Sequence, residues 1–168
     1  MYIEIVGAGS WGLALARVVA LNGHRVRLWC RGEDGPEQLR ASRTSPVYLP
    51  GVKLPESIEI ARDDDPSVDI AVLAVPSHVM RMAAQTHRFS EKTIRVSVAK
   101  GIENESLKRM SEVITEVSGT RRVVVLSGPS HAEEVGKDLP CSVCAAAEDM
   151  TLAAVEDMEF RSRVKFMG

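Results

Sequence analysis

Short apolar runs alternate with segments of helical period along the chain, and this alternation predicts its elements. The first run, Tyr2–Val6, predicts a buried strand. The apolar stripe over Ser10–Leu21 predicts a helix that ends at Asn22 and Gly23, because glycine adopts the left-handed cap conformation without strain. The same patterns predict further strands at residues 25–31, 57–61, 69–75, 93–99, 122–126, 142–147 and 163–166. They predict further helices at residues 33–42, 77–86, 107–117, 131–136 and 150–160.

Two connecting segments have the composition of loops. Residues 44–56 contain three prolines and Gly51, which predicts a loop. Residues 63–66 are three aspartates and a proline, which predicts a solvated turn. Because this turn lacks the glycine spacing of a calcium loop, it does not indicate a metal site.

The order of these elements predicts the fold class. Strands made of continuous Val, Ile and Leu that alternate with helices are typical of a parallel sheet covered on both faces. Right-handed crossovers then produce an α/β fold with a doubly wound, mostly parallel sheet. Ligands of such sheets bind at the carboxyl ends of the strands, so residues that directly follow strands are the candidates for function.

A G-x-G-x-x-G motif, residues 7–12, follows the first predicted strand and opens the first predicted helix. In that context Gly7 permits a tight turn, Gly9 lets the backbone approach a pyrophosphate, and Gly12 lets the helix pack against the strand. The N–H groups of Ser10 and Trp11 would face the anion, aided by the helix dipole. The motif therefore predicts a Rossmann-type dinucleotide-binding domain.

The end of the second strand bears on the choice of cofactor. An NAD site usually has a carboxylate there, but this chain has Cys30 followed by Arg31. A guanidinium at this place suits a 2′-phosphate, so we expect NADP(H) to bind at least as well as NAD(H). The alternative is that Arg31 only stacks on the adenine ring.

Three more strand ends carry candidate residues. Pro76 stops the fourth strand and is expected to lie under the nicotinamide, with Ser77 capping the next helix. Lys100 directly follows the fifth strand, where its ammonium would hold an anionic or carbonyl-bearing substrate. Ser130, with Glu133 three residues on, predicts a second capped helix start after the sixth strand.

Composition and charge narrow the class of protein. The chain has 168 residues and a mass of 18.3 kDa, with 45% apolar and 26% charged residues, which is ordinary for one globular domain. The net charge of −2 argues against nucleic acid as the partner. No apolar run approaches the ~20 residues that span a bilayer, so we predict no membrane span.

The cysteines indicate neither a disulfide framework nor a metal site. Three cysteines are too few for such a framework, which predicts a reducing, cytoplasmic location. Cys141 and Cys144 form a C-x-x-C pattern, but no second pair accompanies it for zinc. We expect both to be small buried side chains in a strand, and we predict no bound metal.

Residues 7–16, 96–103 and 126–134, together with residues 48–52, resemble the bacterial NAD(P)-dependent glycerol-3-phosphate dehydrogenases. The first motif is shared by many dehydrogenases, whereas the second and third are more specific. The resemblance runs along essentially the whole chain. It implies the reduction of dihydroxyacetone phosphate to sn-glycerol 3-phosphate for phospholipid synthesis, with NADP(H) or NAD(H) as the cofactor.

The resemblance also implies roles for individual residues. Lys100 would lie between cofactor and substrate, and Ala132 would lie on the cofactor side of the site. The predicted cofactor-binding residues are Gly7, Gly9, Ser10, Trp11, Gly12, Arg31, Tyr48, Pro76, Lys100 and Ala132. The predicted substrate-binding residues are Lys100, Gly128 and Ser130.

In the family that the chain resembles, a second, mostly helical domain follows the first and supplies the catalytic lysine and most phosphate-binding groups. We therefore expect residues 1–168 to be an NAD(P)-binding domain with no catalytic residue of its own. Such a domain would bind cofactor without turnover, because proton transfer has no donor. The full-length enzyme is expected to be a homodimer.

Two alternatives stay open at this point. Another reductase of the ketopantoate or 6-phosphogluconate type would share the opening motif, although Lys100, Gly101 and residues 128–132 argue against it. The second alternative is a nucleotide-binding module without catalytic activity.

Overall fold

The computed structural model describes residues 1–31 and 35–149, together with the backbone of residues 164–166. Its strands are β1 (Tyr2–Val6), β2 (Arg25–Trp29), β3 (Thr44–Ser45), β4 (Leu49–Lys53), β5 (Glu59–Ala61), β6 (Ile70–Leu73), β7 (Ile94–Ser97), β8 (Val123–Ser127), β9 (Cys141–Ala147) and β10 (Val164–Phe166). Its helices are α1 (Ser10–Leu21), α2 (Pro36–Ser42), α3 (Met80–Thr86), α4 (Met110–Ser118) and α5 (Ala132–Gly136), and a 3₁₀ turn at Ser77–Val79 precedes α3.

The main sheet is mostly parallel, as the alternation of elements predicts. Its strands lie in the order β10-β9-β8-β7-β6-β1-β2-β5. From β5 to β8 every pairing is parallel, and chain order reverses at β1, which pairs with β2 on one side and β6 on the other. Among the described strands of this sheet, β8 and β9 are the one antiparallel pair. The doubly wound, Rossmann-type fold class is therefore confirmed.

Apolar side chains fill both faces of this sheet. On one face, Leu13 and Leu15 of α1 are buried against alternate residues of the strands, such as Ile3 and Ile5 of β1. On the other face, α3 and α4 cover a second cluster of apolar residues, among them Leu73. Because strand side chains alternate between faces, each central strand needs apolar residues throughout, which explains their continuous apolar runs.

The segment at residues 44–56 is a correction, because it is not wholly a loop. Strands β3 and β4 form an antiparallel hairpin there, with Thr44 opposite Lys53. Leu49 and Val52 are buried and pack against Gly136 of α5. Prolines are tolerated in such an isolated two-stranded pair, since it has unpaired outer edges that require no N–H donor.

Several predicted boundaries are also corrected. Strands predicted at residues 25–31, 69–75 and 93–99 end earlier, at Trp29, Leu73 and Ser97. Helix α4 begins at Met110 rather than residue 107. Leu107 has a left-handed φ of 58° and its side chain is 69% exposed, so it belongs to the preceding loop. The predicted helix at residues 150–160 lies outside the described residues.

The predicted helix caps have mixed outcomes. Gly23 has a φ of 88° directly after α1, as predicted for a helix end. Ser77 and Ser130 are not the N-cap residues. The N-cap is Pro76 for the 3₁₀ turn, Val79 for α3 and His131 for α5, and none of these three makes a capping side-chain hydrogen bond. The reason is that both helices begin later than the serine spacing indicates.

The two cysteines of the C-x-x-C pattern lie on opposite faces of β9. Cys141 is buried, as predicted, whereas Cys144 is exposed, which is a correction. Strand side chains alternate, so residues three apart cannot share one face. Burial raises the pKa of the Cys141 thiol, which makes it less reactive at neutral pH.

The acidic turn anchors the chain rather than only facing solvent. Asp63 accepts a hydrogen bond from Arg27 at 2.7 Å, and Asp65 accepts one from the hydroxyl of Tyr2 at 2.9 Å. Hydrogen bonds from Ser67, and then from Tyr2, lower the pKa of Asp65 to about 2.

No helix in the described part of the chain combines the length and apolar character needed to cross a bilayer.

Candidate functional site

The site begins at the glycine turn, residues 7–12, which directly follows β1. Gly7 has a left-handed φ of 111°, and its N–H donates to the carbonyl of Trp29 at 3.0 Å. A Cβ on Gly7 would lie 2.5 Å from the carbonyl oxygen of Ala74. The turn is therefore held closely between the ends of β2 and β6, and only glycine fits there.

Helix α1 starts with backbone N–H groups that remain available. Its first intrahelical hydrogen bond runs from Leu13 N to Gly9 O at 3.0 Å, so the N–H groups of Ser10 and Trp11 have no acceptor within the helix. No side chain of the described residues caps this end, and its first turn contains no acidic residue. Donors and helix dipole together favour an anion at this point.

The space beside this helix start is open. A Cβ built on Gly9 would meet nothing within 4 Å, whereas one on Gly12 would lie 1.9 Å from the carbonyl oxygen of Gly7. Gly12 is thus required by packing, and Gly9 leaves room for a ligand. The open space at Gly9, beside the free N–H groups of Ser10 and Trp11, fits the diphosphate of a dinucleotide.

Arg31 and Tyr48 meet beside the glycine turn. Arg31 follows β2 and is exposed. Tyr48 is half-buried in the turn between β3 and β4, where its N–H donates to Ser45 Oγ at 3.1 Å. A small cavity is lined by Ala8, Cys30, Arg31, Gly35, Leu39, Ser45 and Tyr48. The hairpin therefore places Tyr48 beside Arg31, and its role in cofactor binding stays a prediction.

A neighbouring cavity of about 460 Å³ is lined by Trp29, Cys30, Arg31 and Arg62. Arg62 directly follows β5, and its carbonyl accepts a hydrogen bond from the indole N–H of Trp29 at 3.0 Å. Sequence reasoning missed Arg62. Its place directly after a predicted strand, at the sheet end where ligands bind, is the signal that could have found it.

The ends of β6 and β7 place Pro76 and Lys100 together. Pro76 is exposed and opens the 3₁₀ turn after β6. Gly101 has a left-handed φ of 107°, and a Cβ on it would lie 3.4 Å from Ser77 Oγ. The backbone at Lys100 and Gly101 therefore passes beside Pro76 and Ser77, and Lys100 is exposed at the same end of the sheet.

The loop after Lys100 is fixed by ion pairs. Arg81 of α3 donates to both carboxylate oxygens of Glu103 at 2.8 and 2.9 Å, and also reaches Glu116 of α4 at 3.3 Å. Hydrogen bonds from Arg81, and then from Ser106, lower the pKa of Glu103 to about 2. Bidentate geometry of this kind fixes orientation. Arg81 is thus a positioning residue for the Lys100 loop.

We expect Arg81→Gln to loosen this loop without unfolding the chain, because the amide cannot replace the bidentate pair. Hydrogen exchange at residues 101–109 should become severalfold faster, as expected when local structure loses a constraint. Arg88→Gln removes the same charge from an exposed residue two positions after α3 and is the matched control. Unchanged exchange in Arg81→Gln would show that the loop is held by other contacts.

Gly128, Ser130 and Ala132 follow β8, farther along the sheet. A Cβ on Gly128 would lie 2.5 Å from the carbonyl oxygen of Ser142, so β9 packs closely against this turn. Ser130 Oγ donates to Gly128 O at 3.4 Å, and Ala132 begins α5 against the core. β8 lies four strands from β2, or roughly 19 Å at usual strand spacing. These residues and Arg31 thus occupy opposite ends of the site.

A separate group of side chains has potential metal ligands. Glu4, Asp64 and His87 each offer one ligand atom, and these atoms lie within 4.8 Å of one another. His87 Nδ1 already contacts Asp64 Oδ1 at 2.5 Å, and the guanidinium of Arg27 lies 3.6 Å from Glu4. Since this cation already offsets the carboxylate charge, we interpret the group as a structural polar cluster.

The comparison with known families decides the assignment. Residues 2–153 match the family model described as NAD-dependent glycerol-3-phosphate dehydrogenase N-terminus. The chain belongs to this family. The recognition made from the sequence motifs is thereby confirmed, and the ketopantoate and 6-phosphogluconate alternatives are not favoured.

Curated relatives within the family are similar over nearly the whole chain. The glycerol-3-phosphate dehydrogenase [NAD(P)+] of Geobacillus thermodenitrificans is 46% identical over 159 residues, covering 90% of this chain and 46% of the relative. That of Pelotomaculum thermopropionicum is 42% identical over 165 residues, covering 93% of this chain and 47% of the relative. The chain therefore spans about half the length of the curated relatives it matches.

A solved structure of the family has the same architecture. The glycerol-3-phosphate dehydrogenase of Coxiella burnetii superposes with a TM-score of 0.88 at 30% sequence identity, covering 98% of this chain and 52% of that chain. This similarity includes the doubly wound sheet on which the glycine turn is built.

Proposed function

We propose that this chain is the dinucleotide-binding half of a glycerol-3-phosphate dehydrogenase, which binds NADP(H) or NAD(H) across the carboxyl end of its sheet. The observation that carries the proposal is the uncapped start of α1 at Gly9, with open space where a Cβ would stand. The proposed reaction reduces dihydroxyacetone phosphate to sn-glycerol 3-phosphate. A bound nicotinamide would supply the hydride for the carbonyl carbon.

The chain's own residues would bind and orient the reactants. The N–H groups of Ser10 and Trp11 would hold the diphosphate, with Arg31 and Tyr48 around the adenosine. The ammonium of Lys100 would attract the anionic substrate.

Toward the other end of the site, Gly128 and Ser130 would line the substrate side and Ala132 the cofactor side. Pro76 would lie under the nicotinamide. We place the group that protonates the substrate oxygen outside these 168 residues, because the curated relatives are about twice as long.

Nucleotide titration together with a turnover assay tests this proposal. We expect NADPH and NADH each to bind this chain saturably, as followed by nucleotide fluorescence. We expect no detectable reduction of dihydroxyacetone phosphate by the chain alone, since proton transfer lacks its donor. Turnover by these 168 residues would contradict the division of roles, and failure to bind either nucleotide would contradict the proposed function.

Arg31→Ala tests the part of the proposal that concerns the 2′-phosphate. A hydrogen bond to a charged group contributes about 1.5–3 kcal/mol, so NADPH affinity should fall roughly ten- to hundredfold. NADH affinity should change much less. An equal loss for both nucleotides would instead indicate that Arg31 stacks on the adenine.

Three further expectations stay predictions. They are the homodimeric state of the full-length enzyme, its cytoplasmic location, and the absence of nucleic acid among its partners. The alternative of a nucleotide-binding module without catalytic activity is not favoured, because the chain belongs to the dehydrogenase family.

A further inference from the structure

Two arginine residues line one cavity at the carboxyl end of β2 and β5. Arg31 and Arg62 both line this cavity of about 460 Å³, with Trp29 and Cys30. Arg31 is already assigned to the adenosine end of the dinucleotide. Arg62 has no role in the function proposed above, although its side chain borders the same space.

We propose that Arg62 is a second phosphate-binding residue, which pairs with the 2′-phosphate of NADP(H) opposite Arg31 and favours NADP(H) over NAD(H). This inference rests on the proposed function, because it requires the dinucleotide to bind at the glycine turn. It adds a specificity-determining residue on β5, which lies at the far edge of the sheet from β8.

Hydrogen bonds fix the backbone on which Arg62 is mounted. β2 and β5 pair in parallel with Trp29 opposite Ala61, and Cys30 N donates to Ala61 O at 3.0 Å. The indole N–H of Trp29 donates to the carbonyl of Arg62 at 3.0 Å. Arg31 and Arg62 therefore follow adjacent paired strands within one residue of the same level, and both line the cavity at that end.

The chemistry of this pair suits a phosphate monoester. A guanidinium presents several N–H donors in a plane and binds phosphate oxygens with charge-assisted hydrogen bonds. A 2′-hydroxyl offers such donors no negative charge. Two guanidinium groups should therefore discriminate NADP(H) from NAD(H) more strongly than Arg31 alone.

Glu37 competes with the phosphate for Arg62. Its Oε2 lies 3.3 Å from Arg62 Nη2, and its Oε1 lies 3.9 Å from Arg40. The side chains of Arg62 and Glu37 are 64% and 70% exposed. Exposed ion pairs of this kind are weak, so an incoming phosphate can displace the carboxylate. Glu37 thus holds Arg62 near the cavity and at the same time opposes binding of the anion.

Calorimetric titration with two small ligands isolates the contact between Arg62 and the 2′-phosphate. Adenosine 2′,5′-bisphosphate and adenosine 5′-monophosphate differ only in the 2′-phosphate. For Arg62→Gln we expect affinity for the bisphosphate to fall about tenfold. Affinity for the monophosphate should change less than about twofold, because it lacks the group that Arg62 contacts. For Glu37→Gln we expect the bisphosphate to bind about threefold tighter.

Arg25→Gln is the matched control for charge. Arg25 lies at the opposite end of β2, is exposed, and pairs with Glu59 at 3.8 Å, so its removal changes net charge equally. If Arg25→Gln weakens the bisphosphate as much as Arg62→Gln does, general electrostatics explains the loss and the inference is overturned. Equal weakening of both ligands by Arg62→Gln also overturns it, since Arg62 would then contact the adenosine.

The two proposals fail in distinguishable ways. If the wild-type chain binds NADPH and NADH but Arg62→Gln binds the bisphosphate as tightly as wild type, the inference fails and the proposed function stands. If the wild-type chain binds no nucleotide, both fail. The Glu37→Gln variant is an independent test, because it leaves Arg62 in place. Unchanged affinity of this variant for the bisphosphate would contradict the competition between Glu37 and the phosphate.

Discussion

Replacing Gly12 by alanine is expected to destabilise the chain by about 3 kcal/mol and to abolish dinucleotide binding. The added Cβ would lie 1.9 Å from the carbonyl oxygen of Gly7 and 3.3 Å from the Cβ of Ala74. The first contact is with backbone, so no side-chain rotation relieves it. For a chain of this length the midpoint of thermal unfolding should fall roughly 6–12 °C.

Gly9→Ala is the matched control for this prediction. Gly9 has an ordinary extended backbone, with φ of −73° and ψ of 177°, and an added Cβ would meet nothing within 4 Å. Its stability should therefore stay within about 0.5 kcal/mol of wild type. Nucleotide affinity should still fall roughly tenfold, because the methyl group occupies the diphosphate position.

Thermal unfolding and nucleotide titration of both variants separate packing from binding. An unchanged midpoint for Gly12→Ala would contradict the close approach of α1 to the end of β1. Wild-type nucleotide affinity in a folded Gly9→Ala chain would show that the diphosphate does not lie against this turn.

The second large effect concerns Glu4, whose ionisation should make stability depend on pH. Glu4 is fully buried in the middle of β1. Burial raises its pKa from the ordinary value of 4.5 to about 7, although the N–H of Asp65 and the charge of Arg27 act in the opposite direction. The carboxylates of Asp64 and Asp65 raise the pKa further, and His87 lies in the same cluster.

The sign of the effect follows from proton binding in the two states. Between pH 4.5 and about 7 the unfolded chain has lost the Glu4 proton while the folded chain retains it. The free energy of unfolding therefore decreases as pH rises through this window. This decrease in the free energy of unfolding amounts to about 3 kcal/mol and is complete above the folded-state pKa of Glu4.

Urea denaturation of wild type and Glu4→Gln between pH 5 and pH 8 measures this contribution. The amide does not ionise, so the variant should lack this decrease and should exceed wild type in stability above pH 7. Glu59→Gln is the matched control, because Glu59 also pairs with Arg27 but its side chain is 48% exposed. Parallel pH profiles for wild type and Glu4→Gln would contradict the raised pKa.

The glycine turn and the doubly wound sheet could be predicted because both depend on local signals. The spacing of Gly7, Gly9 and Gly12 is a local signal, and contacts with Trp29 and Ala74 complete the turn. Continuous apolar runs likewise locate the central strands. Their ends are overestimated, since apolar residues such as Val75 and Val98 lie beyond the last paired residues of β6 and β7, Leu73 and Ser97.

Other features depend on contacts between distant residues, which no local pattern reveals. The hairpin at β3 and β4 is stabilised by packing of Leu49 and Val52 on α5, while its prolines indicate a loop. Arg62 follows a predicted strand, but only the pairing of β5 with β2 places it beside Arg31. Glu4 is a polar residue in an apolar run, and its burial depends on Arg27 and on the acidic turn.

Both tryptophans of the chain stand at the carboxyl end of the sheet. Trp11 is the second residue of α1, beside the expected diphosphate, and Trp29 ends β2 beside the cavity of Arg31 and Arg62. Indole emission overlaps the absorption of a reduced nicotinamide. The protein thus carries two built-in optical reporters, and exchanging either one for phenylalanine would let the arrival of the diphosphate and of the adenosine be timed separately.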